Sequence, residues 1–114
     1  MSDKLGDASV IEQLAQLRTI YVARLPAEFT ALDALAAALG NRELSRGNLD
    51  ELHNRLHKLA GSGGTFGLAK LSSHARVIEQ EIKAMLAETF EVLDQEICKK
   101  LVSDILSLRA EVDA

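Results

Sequence analysis

Apolar residues recur every three or four positions along nearly the whole chain, and no stretch alternates or clusters β-branched residues as a strand does. The first stripe is Ile11, Leu14, Leu17 and Tyr21, entered through Ser9 and Glu12, which have the spacing of a capping box. Pro26 interrupts it, and the chain is expected either to kink there or to restart with Pro26 in a first turn before Phe29, Leu32, Leu35 and Leu39. Gly40 reads as the stop of that segment. The linker NRELSRGN then leads to Asn48, a helix cap with Glu51 three residues on, and to a stripe of Leu49, Leu52, Leu56 and Leu59 that continues through Gly63 to Phe66. A fourth segment starts near Leu68 with Leu71, Ala75, Ile78, Ile82 and Met85. A fifth starts near Thr89 with Phe90, Leu93, Ile97, Leu101, Ile105, Leu108 and Val112. The pattern predicts an all-α protein, an antiparallel four-helix bundle with an additional N-terminal helix or a kinked second helix. Residues 1–114 form one domain, with residues 1–7 outside the helices and expected to be flexible.

Composition narrows the function. At 114 residues, 47% hydrophobic and a formal charge of -4, the chain suits one globular domain with a single core. Charges of both signs are interspersed, so neither a nucleic-acid footprint nor a polybasic membrane segment is visible. The N-terminus lacks an apolar signal core, and ALDALAAAL is too short to span a bilayer and carries Asp33, so the expected location is cytoplasmic. The single cysteine, Cys98, reads as a small buried hydrophobe.

Four of the seven glycines fall between Gly61 and Gly67, just after His57, in the segment HKLAGSGGTFG. Neither common phosphate loop fits. No lysine stands next to a glycine with a hydroxyl after it, and the G-x-G-x-x-G pattern fails because position 66 is Phe and a helix precedes the glycines. A metal site is also weakly supported. His53 and His57 are i and i+4, as in zinc-binding helices, but residue 54 is Asn where a zincin carries its catalytic Glu. No third ligand is specified: His74 lies one helix away, and Asp50 and Glu51 suit a helix N-terminus equally well. His53 is expected beside the core stripe and His74 on a solvated face.

Helical geometry gives the glycines a use. At about 100° per residue, His57, Gly61 and Gly64 lie within roughly 60° of one another, about 130° from the centre of the leucine stripe. His57 therefore points to solvent, and bare backbone at Gly61 and Gly64 lets a partner approach the imidazole closely. Gly63 and Gly67 fall near the core side and suit close packing of a neighbouring helix. A neutral imidazole is a nucleophile able to accept a phosphoryl group. Such a transfer needs positioning and charge neutralisation more than covalent machinery. Lys58, Arg55 and Lys70 are candidate cations, Lys58 the foremost because it adjoins His57.

The segment His57-Lys58-Leu59-Ala60-Gly61, with Gly64, Gly67 and Leu68 after it, closely resembles the signature of the histidine-containing phosphotransfer (HPt) domain, as do the length and the pattern Leu17, Arg18, Tyr21, Leu25, Pro26. The resemblance implies a monomeric four-helix bundle displaying His57, which takes a phosphoryl group from the aspartate of one receiver domain, such as that of a hybrid histidine kinase. It then passes the group to another, that of a response regulator. His57 would be the nucleophile, Lys58 a stabiliser of the bound group, and Gly61 and Gly64 the docking clearance. No cofactor of its own and no resident metal are implied, the receiver supplying Mg2+, and the chain would not use ATP. The family often carries lysine three residues after the histidine, where this chain has Ala60, so stabilisation must come from elsewhere, with Lys58 or the Ser62 hydroxyl as candidates. The competing reading is a helical module that docks receivers or other signalling proteins without being phosphorylated.

Overall fold

The computed structural model describes residues 2–40, 45–87 and 95–112. Among them are four α-helices and no strand: α1 (Ser2–Gly40), α2 (Arg46–Thr65), α3 (Ala69–Ala87) and α4 (Gln95–Ser107), the last continuing into a 3-10 helix at Leu108–Glu111. The all-α expectation holds, but five predicted segments become four helices because the chain does not restart at Pro26. One 39-residue helix runs through that position. Leu25, Phe29 and Leu32, on either side of the proline, are all buried in the same core. Keeping them on one face offsets the roughly 3 kcal/mol that an interior proline costs. Pro26 is itself exposed, and its carbonyl accepts the Thr30 hydroxyl at 2.9 Å. α1 begins at Ser2, so residues 2–7, which the pattern left outside any helix, are helical and Ser9 is not a cap.

α2 and α3 form an antiparallel hairpin. Arg46, at the start of α2, donates to the carbonyl of Leu86, near the end of α3, at 2.8 Å, while Ser72 donates to the carbonyl of Ala60 at 2.5 Å beside the turn. The N-cap of α2 is Ser45 rather than Asn48: its hydroxyl accepts the Asn48 amide at 3.1 Å. At the other end Gly67 takes φ +79°, a left-handed conformation that favours glycine. No atom lies within 4 Å of where its Cβ would be, so Gly67 is there for the turn and not for the close helix contact expected of it.

The core unites the leucine stripe of α2 with Leu25, Phe29, Leu32, Ala36 and Leu39 of α1, Leu71, Ala75, Ile78 and Ile82 of α3, and Cys98, Leu101, Ile105 and Leu108. α1 packs chiefly on α4, and Arg109 secures that contact by pairing with Asp33 and lying 5.9 Å over the Phe29 ring. Cys98 is buried as expected, whereas Ile97 is 47% exposed. On the helical wheel of α4 Cys98 is nearer than Ile97, by about 20°, to the centre of the stripe formed by Leu101 and Ile105. The predicted Thr89 start, with Phe90 and Leu93, lies outside the described residues.

The first stripe is the largest departure. Ile11, Leu14 and Leu17 are 66%, 54% and 50% exposed, and only from Tyr21 onward does α1 meet the other helices. Tyr21 stacks on Phe66, at the C-terminal end of α2, with ring centroids 4.7 Å apart, so the residues before it run on past the hairpin turn. A helix of 39 residues spans about 58 Å, which accounts for the 64 Å long dimension of the molecule. No described helix is long and apolar enough to cross a membrane.

Candidate functional site

The stripe of α2 fixes where His57 goes. With Leu52, Leu56 and Leu59 buried, residue 57 is turned outward, and its side chain is 72% exposed. Its ring is nevertheless held. Nδ1 of His57 lies 2.8 Å from Oε1 of Glu79 on α3, a carboxylate only 6% exposed and adjacent in sequence to the buried Ile78. An ionised carboxylate only accepts hydrogen bonds, so against ionised Glu79 it is Nδ1 that donates, and in the neutral ring Nε2 then keeps its lone pair. Glu79 escaped the sequence reading. Its only signal was an acidic residue beside an apolar stripe, common on any amphipathic helix, and its importance depends on the register of α3 against α2.

The same oxygen has a second neighbour. Nε2 of His53, one turn before His57, is 3.4 Å from Oε1 of Glu79; it is buried and has no hydrogen-bond partner. The two imidazoles are 6.3 Å apart and 14° from parallel. His53 thus sits beside the core stripe as expected. His74 is half-buried and pairs with Glu111 at 3.4 Å, away from the other two histidines. Among the described residues no group of three or more His, Cys, Asp or Glu side chains is placed to hold a metal ion.

The candidate cations are dispersed. Arg55 binds Glu28 of α1 at 3.2 Å and Glu51 at 3.2 Å, and the hydrogen bond it donates to Glu28 raises its pKa. Lys58 is exposed on a cleft of about 740 Å³ between α1 and α2, which Tyr21, Arg24, Glu28, Arg55 and Ser62 also line and which does not include His57. Lys70 lies with His74 and Glu111 in a separate shallow depression. Ser62 is engaged: its hydroxyl donates to the Lys58 carbonyl at 2.7 Å and is hydrogen-bonded to the Tyr21 hydroxyl at 2.7 Å, a contact in which either oxygen can donate. Burial raises the Tyr21 pKa; the Ser62 bond works against this and the Glu28 charge adds to it. Ala60 is 2% exposed, its methyl group enclosed in the core.

The glycines divide by surroundings. Nothing lies within 4 Å of where a Gly61 Cβ would be, so bare, exposed backbone stands one turn beyond His57. Gly63 is buried against α3, where an added Cβ would be 3.5 Å from the Ser72 amide nitrogen. Gly64 is exposed but also abuts α3: its Cβ would meet the Ser72 hydroxyl at 3.3 Å. Packing within the hairpin therefore constrains Gly64 independently of any partner.

A scan against family models matches the Hpt domain over residues 12–113, nearly the whole chain. Comparison with curated proteins and with solved structures finds no match. The match takes in α1 from residue 12 onward and the whole of α2, α3 and α4, and contains both His57 and the carboxylate that holds its ring. The chain belongs to the Hpt domain family.

Proposed function

We propose that His57 is the phosphoryl carrier of a phosphorelay, displayed on an antiparallel four-helix bundle in the cytoplasm. It takes its phosphoryl group from the phospho-aspartate of one receiver domain, such as that of a hybrid histidine kinase, and gives it to the receiver of a response regulator. Family membership itself ties the chain to phosphotransfer in two-component signalling. The observation that carries the residue-level reading is the 2.8 Å contact from Nδ1 of an exposed His57 to the buried Glu79 carboxylate.

That contact suits the reaction. The Nε2 lone pair attacks phosphorus in line, the phosphorus–oxygen bond to aspartate breaks, and its electron pair leaves on the aspartate carboxylate. The imidazole then carries the phosphoryl group on Nε2 and the proton on Nδ1, and is cationic. Glu79 stands against Nδ1, where that positive charge develops, and its preorganised carboxylate lowers the barrier by electrostatic stabilisation. Onward transfer reverses these bond changes on a second receiver. Gly61 supplies clearance for docking, with Gly64 at the edge of the same face. Lys58, exposed and adjacent to His57 in sequence, is the cation assigned to the incoming phosphoryl group, which it must reach from the rim of the α1–α2 cleft. Mg2+ belongs to the receiver.

The test is incubation of the wild-type chain and a His57→Gln variant with a radiolabelled phosphorylated receiver. Acid-labile, base-stable label on wild type alone is expected. No label on wild type, with receiver docking still visible by NMR, would replace this reading with that of an unphosphorylated docking module.

A further inference from the structure

We propose that residues 10–20 of α1 pair with the same residues of a second copy of this chain, antiparallel and related by a two-fold axis. The chain is then a dimer, in place of the monomer that the family resemblance implies. The inference is independent of whether His57 carries phosphate.

Val10, Ile11, Leu14, Leu17 and Ile20 are 49–66% exposed. Val10, Leu14, Leu17 and Tyr21 follow the 4-3-4 spacing of a helix-pairing seam, with Ile11 and Ile20 on its flanks. Glu12, Gln16 and Thr19 take the opposite side of the helix, and Arg18 is the one charge at the edge of the apolar face. Among the described residues the other exposed large aliphatic side chains are dispersed: Val77 is on α3, and Ile97 and Leu106 lie on opposite sides of α4. Single exposures of that kind are ordinary, whereas a continuous apolar face calls for a cover. This face also prolongs the core. Leu14 and Tyr21 stand within about 30° of the helical line through the buried Leu25 and Leu32, and Tyr21 is where the hairpin stops, stacked on Phe66.

Area and sterics say what covers it. The five side chains leave on the order of 400 Å² open, a large patch for one small chain. Two copies face to face bury about 1,000 Å² with their flanking residues, the size at which a specific interface begins. Only one direction of pairing is open. In each copy the hairpin occupies the same face of α1 from Tyr21 onward. Parallel copies bring both hairpins to one end, where they collide. Antiparallel copies put the hairpins at opposite ends and overlap along residues 10–20, about 15 Å of helix. Leu14 is about 20 Å along the bundle from His57, so pairing leaves both His57 faces open to receivers.

The test is sedimentation equilibrium of the full chain from about 1 µM to 1 mM, wild type beside a Leu14→Glu, Leu17→Glu double variant. Wild type is expected to pass from one chain to two with a midpoint of roughly 10–100 µM. Carboxylates facing each other across the seam should raise that midpoint at least about 100-fold. Helix content by circular dichroism and phosphoryl uptake on His57 should be unchanged in the variant, because both leucines lie outside the core. For direction, a spin label on Ser9→Cys of one copy, Cys98 being buried, should broaden amides near Ile20 of a 15N-enriched copy. Broadening at Ser9 of the enriched copy means parallel pairing and overturns the arrangement. Wild type that stays a single chain to 1 mM overturns the proposal, as does a dimer that the double variant retains. Amide shifts at Leu14 and Leu17 on adding a receiver to a chain that stays single would assign this face to the receiver instead.

Discussion

Oε1 of Glu79 lies 2.8 Å from Nδ1 of His57, across 22 residues of sequence and the width of one helix hairpin. The bond couples a buried charge to an exposed nucleophile, so function and stability should respond differently to its removal. Glu79→Leu is expected to slow phosphoryl uptake by His57 about 10- to 100-fold, the range for a hydrogen bond to a charged group. The same variant should leave thermal stability unchanged or raised, because apolar packing often replaces a buried charge without loss. Single-turnover transfer and calorimetric unfolding check the two halves.

Gly61 and Gly64 should separate in the same manner. Gly61→Ala meets nothing in the protein and is expected to stabilise α2 by about 0.5–1 kcal/mol. Gly61→Leu should instead weaken receiver docking by obstructing the face beside His57. Gly64→Ala brings a Cβ to 3.3 Å from the Ser72 hydroxyl, which holds the Ala60 carbonyl. The gain in helix propensity should then appear only in a Ser72→Ala background. A double-mutant cycle by urea unfolding should show coupling of about 0.5–1 kcal/mol between positions 64 and 72.

Equal leucines on α1 should have unequal weight. Leu32 is fully buried and Leu14 is 54% exposed. Leu32→Ala is expected to cost about 2–5 kcal/mol, and Leu14→Ala to stay within about 0.5 kcal/mol. Chemical denaturation of the two variants compares them directly.

Tyr21 is the single tyrosine, and the chain has no tryptophan, so ultraviolet titration reads this one phenol. Burial between α1 and α2 raises its pKa, with the Glu28 charge adding and the Ser62 bond opposing. The titration midpoint should therefore lie above the ordinary value of 10.0. Between that value and the raised midpoint the unfolded chain has released the phenolic proton and the folded chain still holds it. The stabilisation is thus complete below pH 10 and disappears as pH rises through the folded-state midpoint. Tyr21→Phe should flatten this part of the stability–pH curve.

The sequence by itself determined the helical class and the outward face of His57. The leucines at 49, 52, 56 and 59 admit one inward direction, and a residue about 130° from it has to face water. It also placed His53 beside the core and Gly61 in the open. Contacts between helices lay beyond it. The apolar spacing at Ile11, Leu14 and Leu17 matches that of buried stripes elsewhere, yet whether a stripe is covered depends on where the other helices end. Whether Pro26 breaks α1 depends on Leu25, Phe29 and Leu32 sharing one core, a tertiary gain that outweighs a local cost. Gly64 reads as open surface on the wheel of α2 and becomes a packing position once Ser72 is placed against it. Glu79 became the partner of His57 only when the Gly67 turn set the register of α3 on α2, because helical periodicity fixes the direction of a side chain and carries no information about what another helix brings to meet it.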